Sequence, residues 1–409
     1  MSIAATVRYP FPPASGLRLE HQYETLRECP VTRVRLPDGQ EAWLVVSHPL
    51  VQQVLADRRF SRALACEPGR PQLTAQPLPG TSIVSMDPPQ HTRLRALVAR
   101  AFTPQRAREL QPHTERLVDD LLSRMRQAGP PADIVTAVAL PLPALVVGSM
   151  LGVPPEDYET FRAWTAALLS ISNVTPEQAD HSLSELISYV ADLVAERRRT
   201  SHDDLIGHLV TAHDEHGALS DDELVGFGIT LLAAGAETTT DQIANSVYAL
   251  LRHPHDFRRL GRTPELVPSA VEELVRYVPL GSTSGLPRVA TEDVMLGDVL
   301  IPRGDTVLPS IIAANGDPYA FPSPGTFDMT RHPNRHVGFG HGSHICLGAQ
   351  VARMLLSVLL TALPRQFPDL KLACSEADII WRHSQVTRGP VELPVTWAST
   401  DRQTPLPRK

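Results

Sequence analysis

Residues 220–252 constrain the fold more than any other stretch of this 409-residue chain. Ser220 and, three residues on, Glu223 make a capping-box pattern, and Asp221 and Asp222 fill the first turn, where carboxylates suit the positive end of a helix dipole. An apolar pattern then runs to Leu251, and Pro254 stops it. The spacing predicts one helix about 50 Å long at 1.5 Å per residue, long enough to cross a whole domain as a central core element. Its middle breaks local rules. Ala233-Ala234-Gly235-Ala236-Glu237-Thr238-Thr239-Thr240 places a glycine, a glutamate and a run of poor helix formers inside it. Glycine alone costs about 1 kcal/mol there relative to alanine. Conflicts of this kind in a core helix point to a functional site.

Further helical patterns recur at 48–57, from about 90, and at 105–127, 156–170, 176–199, 203–213, 268–277 and 347–363. Residues 31–46 read as a hairpin turning at Pro37-Asp38-Gly39, with strand-like pieces at 287–301, 306–311 and after 380. The fold class is therefore mainly α with small β-sheets (α+β). No repeat or linker divides the chain, so residues 1–409 are expected to form a single body, with about 1–20 and 398–409 as extended tails. Residues 134–155 carry no charge, but Pro141, Pro143, Pro154 and Pro155 interrupt them. They read as buried core helix and connector, since a membrane span needs ~20 unbroken apolar residues. Residues 1–9 have no apolar run behind a basic start, so a cytoplasmic protein without membrane attachment is expected. A net charge of −7 argues against wholesale nucleic-acid binding, which leaves a basic footprint.

The densest chemistry lies in Phe339-Gly340-His341-Gly342-Ser343-His344-Ile345-Cys346-Leu347-Gly348. Glycines at 338, 340 and 342 allow sharp turns and the close approach of a flat group. Cys346 stands just before a helix, where backbone N–H groups and the helix dipole favour a thiolate and metal ligation. Two plainer readings compete. Cys346 could be a core thiol, although such thiols seldom sit in a Gly/His loop. His332, His336, His341, His344 and Cys346 could hold zinc, although their spacing matches no usual zinc pattern.

This loop resembles the haem-binding loop of the cytochrome P-450 family, Phe-x-x-Gly-x-x-x-Cys-x-Gly, with Phe339, Gly342, Cys346 and Gly348 in register. Three further segments resemble the family in its order. Glu273 and Arg276 match Glu-x-x-Arg; Ala234 to Thr239 match the oxygen-groove motif; His91 to Arg95 match the segment that binds haem propionates. The resemblance covers nearly the whole chain. It implies one large haem domain around the long central helix, holding haem b with Cys346 as axial thiolate ligand and metal site. It implies that Phe339, Gly340 and Gly348 shape the loop, and that His91, Arg95, Arg288 and His344 meet the propionates. Gly235 would let the helix widen beside O2, Thr238 would hydrogen-bond the bound oxygen, and Glu237 would relay protons. The family's Pro-x-Arg-Phe is Pro324-Gly325-Thr326-Phe327 here, and Arg331 is the candidate to complete the Glu273–Arg276 network in its place.

The implied activity is a monooxygenase inserting one oxygen atom from O2 into a small organic molecule, by hydroxylation or epoxidation. The alternative is the same scaffold running an oxidative coupling or acting on a carrier-bound intermediate. No flavin or iron–sulfur motif is present, so electrons from NAD(P)H are expected through an external ferredoxin and ferredoxin reductase, docking near Arg93, Arg100, Arg106 and Arg353. By analogy the pocket is lined by the Pro/Gly-punctuated 61–90 loop, the 165–185 connection, Leu231 to Thr238, 280–286 and the 384–388 turn. Gly281-Ser282-Thr283-Ser284-Gly285 is small and polar, which suits a bulky, partly polar secondary metabolite such as a macrolide, polyketide, terpenoid or peptide.

Overall fold

The long helix spans Asp221–Leu251 in the computed structural model. That structure describes residues 7–398 apart from 72, 74–79, 81, 171–173, 201, 203, 217–218, 283–284 and 384. Ser220 Oγ accepts the Glu223 N–H at 3.1 Å, and the Glu223 carboxylate accepts the Ser220 N–H at 2.9 Å, so the capping box is formed. From Thr240 to Leu251 every residue of the helix is buried. Before that, one face is buried through Leu224, Phe227, Leu232 and Ala236. The other face carries Thr230, Leu231, Ala234, Gly235, Thr238, Thr239 and Gln242, which line a cavity.

Two helical cores meet along this helix. The first packs its C-terminal half against Pro104–Ala128, Pro141–Leu151, Val267–Tyr277 and Ala349–Gln366, through Leu122, Ile243, Val247, Leu274 and Leu359. The second packs its N-terminal half against Tyr158–Leu168, Pro176–Arg199 and Leu205–His216, through Phe161, Leu186, Val190, Leu209 and Phe227. Each fully buried aliphatic or aromatic side chain in such a core contributes about 1.5–3 kcal/mol relative to exposure. The uncharged 134–155 segment forms a wide π-helical turn, Val135–Ala139, and then the buried helix Pro141–Leu151. Among the described residues no helix is long and apolar enough to cross a membrane.

A sheet carries further lining residues at the ends of its strands: Arg62, Pro287 and Ile311 flank them and line the cavity. Its strand order is Val7–Arg8, Val31–Arg35, Glu41–Val45, Thr306–Pro309, Arg288–Ala290, Phe60–Ser61. The hairpin pairs Val31 with Val45 and Arg35 with Glu41, as the sequence pattern predicts, and Gly39 takes the positive φ that the turn requires.

Two expectations need correction, and the expected stop at Pro254 holds with an addition. The N-terminal segment is not a tail to residue 20. Val7–Arg8 pairs in parallel with the hairpin, and Tyr9, Phe11 and Leu17 are buried. Residues 1–6 and 399–409 lie outside the described residues. Pro254 ends the central helix but also begins another, Pro254–Arg262, because proline is well suited to the first helical position. The strand expected at 306–311 stops at Pro309; Ser310 caps a short helix, Ile311–Asn315, by accepting the Ala313 N–H at 3.3 Å.

The two ends of the described chain meet at Arg388. This fully buried arginine donates to Glu20 at 2.7 Å, to the Arg18 carbonyl at 2.9 Å and to the Pro279 carbonyl at 2.8 Å. Its neighbour Thr387 donates to Asp241 of the central helix at 2.7 Å.

Candidate active site

The cavity beside the central helix has a volume of about 530 Å3, within the ordinary range for a small-molecule site. Cys346, Phe339, Gly348, His344, His91, Arg95, Gly235 and Thr238 all line it. So do residues from each segment expected to form the substrate pocket: Ile83, Leu169, Leu231, Gly281 and Val386 among them. Parts of those segments (residues 72, 74–79, 81, 171–173, 283–284 and 384) lie outside the described residues.

Backbone hydrogen bonds set the cysteine loop. Val337 donates to Asn315 Oδ1 at 2.8 Å, Gly340 to the Val337 carbonyl at 2.7 Å, and Cys346 to the Phe339 carbonyl at 2.7 Å. Gly340 and Gly342 take φ of 77° and 72°, a region that side chains other than glycine rarely occupy. A Cβ at Gly342 would stand 2.5 Å from the Leu55 carbonyl oxygen. Gly342→Ala is therefore expected to cost at least about 1–2 kcal/mol from the backbone conformation alone. Thermal unfolding and haem content of the purified variant would both fall; wild-type values for both would contradict this account of the loop.

Cys346 is exposed, yet it lies deep in the fold, because the surface it presents faces the cavity. Burial pushes its thiol up, while the Gly348 backbone N–H and the charges of Arg95 and Arg353 pull it toward the thiolate. Among the described residues no three His, Cys, Asp or Glu side chains converge as metal ligands, so the loop histidines do not gather into a zinc site.

Beside the loop, and including its His344, lies a cationic cluster, with Arg95 donating to the Ile345 carbonyl at 2.5 Å. The His91 and His344 rings are 4.0 Å apart. His91 is buried with neither ring nitrogen hydrogen-bonded, and Arg288 has a buried Nε without a partner. Burial, then His91, Arg288, Arg62 and Arg95, hold the His344 imidazole down to about 3. Burial, then Arg62, bring the Arg288 guanidinium down to about 10. Gathering this much positive charge with orphaned donors is costly unless an anion compensates it. A flat group that carries carboxylates and needs a thiolate ligand fits both halves of the cavity. Arg62, missed in the sequence reading, belongs to the same cluster: it is buried, lines the cavity, and donates to the Val84 carbonyl at 2.9 Å.

On the central helix, Thr238 Oγ1 donates to the Ala234 carbonyl at 2.7 Å. Its proton is engaged within the helix, so toward the cavity the hydroxyl offers lone pairs. Glu237 is buried and is not among the cavity-lining residues. The expected widening at Gly235 is absent: the helix is α from Asp221 to Leu251. The glycine instead admits Val147, whose methyls would stand 3.1 and 3.2 Å from a Cβ there. Gln242, Asp241 and Asn245 continue this polar stretch inside the core. Gln242 lines the cavity, Asp241 accepts from Thr387 and Arg382, and Asn245 donates to the Arg388 carbonyl at 2.8 Å. A polar run in an otherwise buried apolar helix was the signal that could have singled them out.

Behind the cavity, Glu273 holds the chain leading to the loop. Arg276 donates to both its carboxylate oxygens at 2.8 and 2.6 Å. Arg331 Nε lies 3.1 Å from each oxygen, and Asp328 N–H and Asn334 Nδ2 add bonds at 3.1 Å. Arg331 therefore occupies the third place in the network.

The chain matches the Cytochrome P450 family model over residues 17–262 and 265–374. It is 48% identical to nocardicin C N-oxygenase of Nocardia uniformis subsp. tsuyamanensis, over 97% of this chain and all of that one. It is 44% identical to mycinamicin IV hydroxylase/epoxidase of Micromonospora griseorubida, again over 97% of this chain and all of that one. Among solved structures, a putative thioether synthase of griseoviridin tailoring, SgvP, superposes with a TM-score of 0.92 at 40% identity, over 96% of this chain and all of that one. The chain belongs to the cytochrome P450 family, and it is a haem-dependent monooxygenase with a cysteine thiolate ligand, O2 as oxidant and electrons drawn from redox partners.

Proposed function

We propose that this monooxygenase inserts one oxygen atom from O2 into a bulky, partly polar secondary metabolite, such as a macrolide, polyketide, terpenoid or peptide, by hydroxylation or epoxidation in the cytoplasm. The observation that carries the reading is the one cavity that gathers the cysteine loop, Arg62, His91 and Arg95 of the cationic cluster, Thr238 and residues of all five substrate-facing segments. The acceptors of the two named relatives, nocardicin C and mycinamicin IV, support the substrate class. We further propose that the body is one haem domain, residues 7–398 at least.

Cys346 holds the iron. His91, Arg95, Arg288 and His344, joined by Arg62, would hold the propionates, and Phe339, Gly340 and Gly348 shape the cysteine loop. Bound there, haem supplies an iron that takes up O2, and its thiolate ligand donates electron density that favours O–O cleavage. The chain's own groups manage protons and water. Thr238 accepts a hydrogen bond from a proton-bearing oxygen in the cavity. Glu237 supplies protons through a bridging water or a change of rotamer, since it does not face the cavity itself. Gly235 keeps the helix close to Val147 and adds no side chain to the cavity it lines. Leu231, Ala234, Ile83 and Val386 exclude bulk water and orient the substrate.

Electrons arrive from NAD(P)H through a ferredoxin and its reductase. Three of the arginines expected to dock it are paired with carboxylates: Arg93 with Glu223, Arg106 with Glu109 at 3.0 Å, and Arg353 with Glu272 at 2.6 Å. The docking face is thus less positive than the arginines alone suggest.

Titrating the ferric protein with free and carrier-bound intermediates, while following the Soret band, tests the substrate class. A shift to the high-spin form by one class names it; no shift from any bulky metabolite counts against the reading. Isotopically heavy O2 separates insertion from oxidative coupling, which the thioether synthase relative favours. Insertion labels the product, whereas coupling gives a product lacking two hydrogens and no label. Thr238→Ala is expected to retain haem but release hydrogen peroxide, so that NADH consumed per product rises about tenfold or more, as for loss of a positioned proton-transfer group. Unchanged coupling would remove Thr238 from the mechanism.

A further inference from the structure

Glu272 precedes the network glutamate by one residue but faces different partners. It accepts from Arg353 Nε at 2.6 Å and from Arg353 Nη2 at 2.9 Å, a bidentate pair. His336 Nε2 lies 3.0 Å from the same carboxylate. His336 Nδ1 accepts the Gly338 backbone N–H at 3.2 Å, which leaves the ring proton on Nε2, facing Glu272. The Arg353 guanidinium lies over the Phe339 ring, 4.4 Å from its centroid. The three side chains therefore tie the cysteine loop at Gly338 and Phe339 to the start of the second turn of the helix that follows Cys346.

The cluster is also electrically close to the sulphur. The Arg353 charge favours the Cys346 thiolate. Burial works to raise the Glu272 carboxyl, but its bonds to Arg353 and His336 outweigh burial and hold it at about 2, so it is an anion at neutral pH. Both partners of the ion pair are about one-third exposed, at 32% and 31%, so solvent screens but does not erase the pair.

We propose that Glu272 is a positioning residue that sets the reduction potential of the bound haem, by holding Arg353 against Phe339 and offsetting its charge beside the Cys346 loop. The proposal rests on Cys346 being the haem ligand. Reduction places one more electron on the haem–thiolate unit, and a nearby uncompensated cation favours it. Removing the Glu272 charge unmasks Arg353 and raises the potential. Removing Arg353 leaves Glu272 as an uncompensated anion and lowers it. The two partners of one pair thus act with opposite signs, whereas simple loosening of the loop moves both variants the same way.

The test is spectroelectrochemical titration of ferric holoenzyme without substrate, in wild type, Glu272→Gln, Arg353→Gln and the double variant. One unit charge in a partly buried site changes the reduction constant by roughly tenfold, about 59 mV for one electron. Glu272→Gln is expected to rise by about that factor, Arg353→Gln to fall by about that factor, and the double variant to return near wild type. Shifts of the same sign, or less than twofold in both single variants, overturn the proposal. If Glu272→Gln fails to take up haem, Arg353→Gln alone decides: a fall supports the proposal, and a rise or no change overturns it. The ferrous–carbon monoxide spectrum separates the two layers of argument. A missing thiolate band in wild type defeats the haem–thiolate reading itself; a normal band with the wrong shifts defeats only the role of Glu272.

Discussion

Cys346→Ala is expected to abolish substrate oxidation and to remove the thiolate-type absorption of the ferrous–carbon monoxide complex. Alanine has no atom that can ligate iron, and nothing nearby is placed to substitute for the sulphur. His344 stacks at 4.0 Å from His91 in the cationic cluster. His336 is committed to Glu272 and to the Gly338 N–H. The Gly348 N–H and the charges that favour the thiolate would lose the group they act on. Because the loop is shaped by backbone bonds among 337–346, the fold itself should survive. Circular dichroism and an unfolding curve near those of wild type would establish that the loss is chemical. Product formation above background, driven by NADH and a surrogate ferredoxin system, would show that the iron is held elsewhere.

Glu273→Gln is expected to be the most destabilising single change in the chain short of a core deletion. The glutamate is fully buried, and the side chains of Arg276 and Arg331 beside it are only 1% and 10% exposed. Glutamine keeps one acceptor and turns two N–H donors toward guanidinium groups. Two buried cations would then share no anion. Breaking a buried pair in this way costs about 3–5 kcal/mol, a large share of the ~5–15 kcal/mol that holds a protein folded. Arg276 also donates to the carbonyls of Asn315, Pro324 and Thr326, so the damage should reach the segment ahead of the cysteine loop. Denaturant unfolding of the holoenzyme and haem retention after gel filtration measure it. A loss below 1 kcal/mol would mean that the network contributes little to stability.

The parts of the site that could be read in the sequence are those encoded by contiguous residues. The cysteine loop, the Gly235–Thr238 segment and the His91–Arg95 turn each lie within about ten residues, so spacing alone displays them. The central helix was legible for the same reason: its capping box and apolar period are local signals. What escaped depends on distant partners. Arg62 reads as an ordinary arginine after a strand until Asp87, Val84 and Arg288 close around it. Thr387 and Arg382 give no hint in sequence of their hold on Asp241. The segment from Val7 to Glu20 reads as an extended tail because its partners, the hairpin at 31–45 and the turn at 388, are set by tertiary pairing. Glu237 was read by motif, which specifies its position along the helix but not the direction of its side chain.

The Arg388 anchor makes the beginning of the chain an architectural part of the pocket's ceiling. Glu20 and the Arg18 carbonyl steady Arg388 from one side, and Asp241 steadies Thr387 from the other. Trimming the first twenty residues, or fusing a rigid tag near residue 17, would therefore reach the substrate through a single guanidinium. Losing Glu20 would also leave Arg388 buried without its anion, so stability is expected to fall together with any change in selectivity. The Val386–Thr387 turn is held from a third side as well, because the Val386 N–H donates to the Leu169 carbonyl at 3.0 Å.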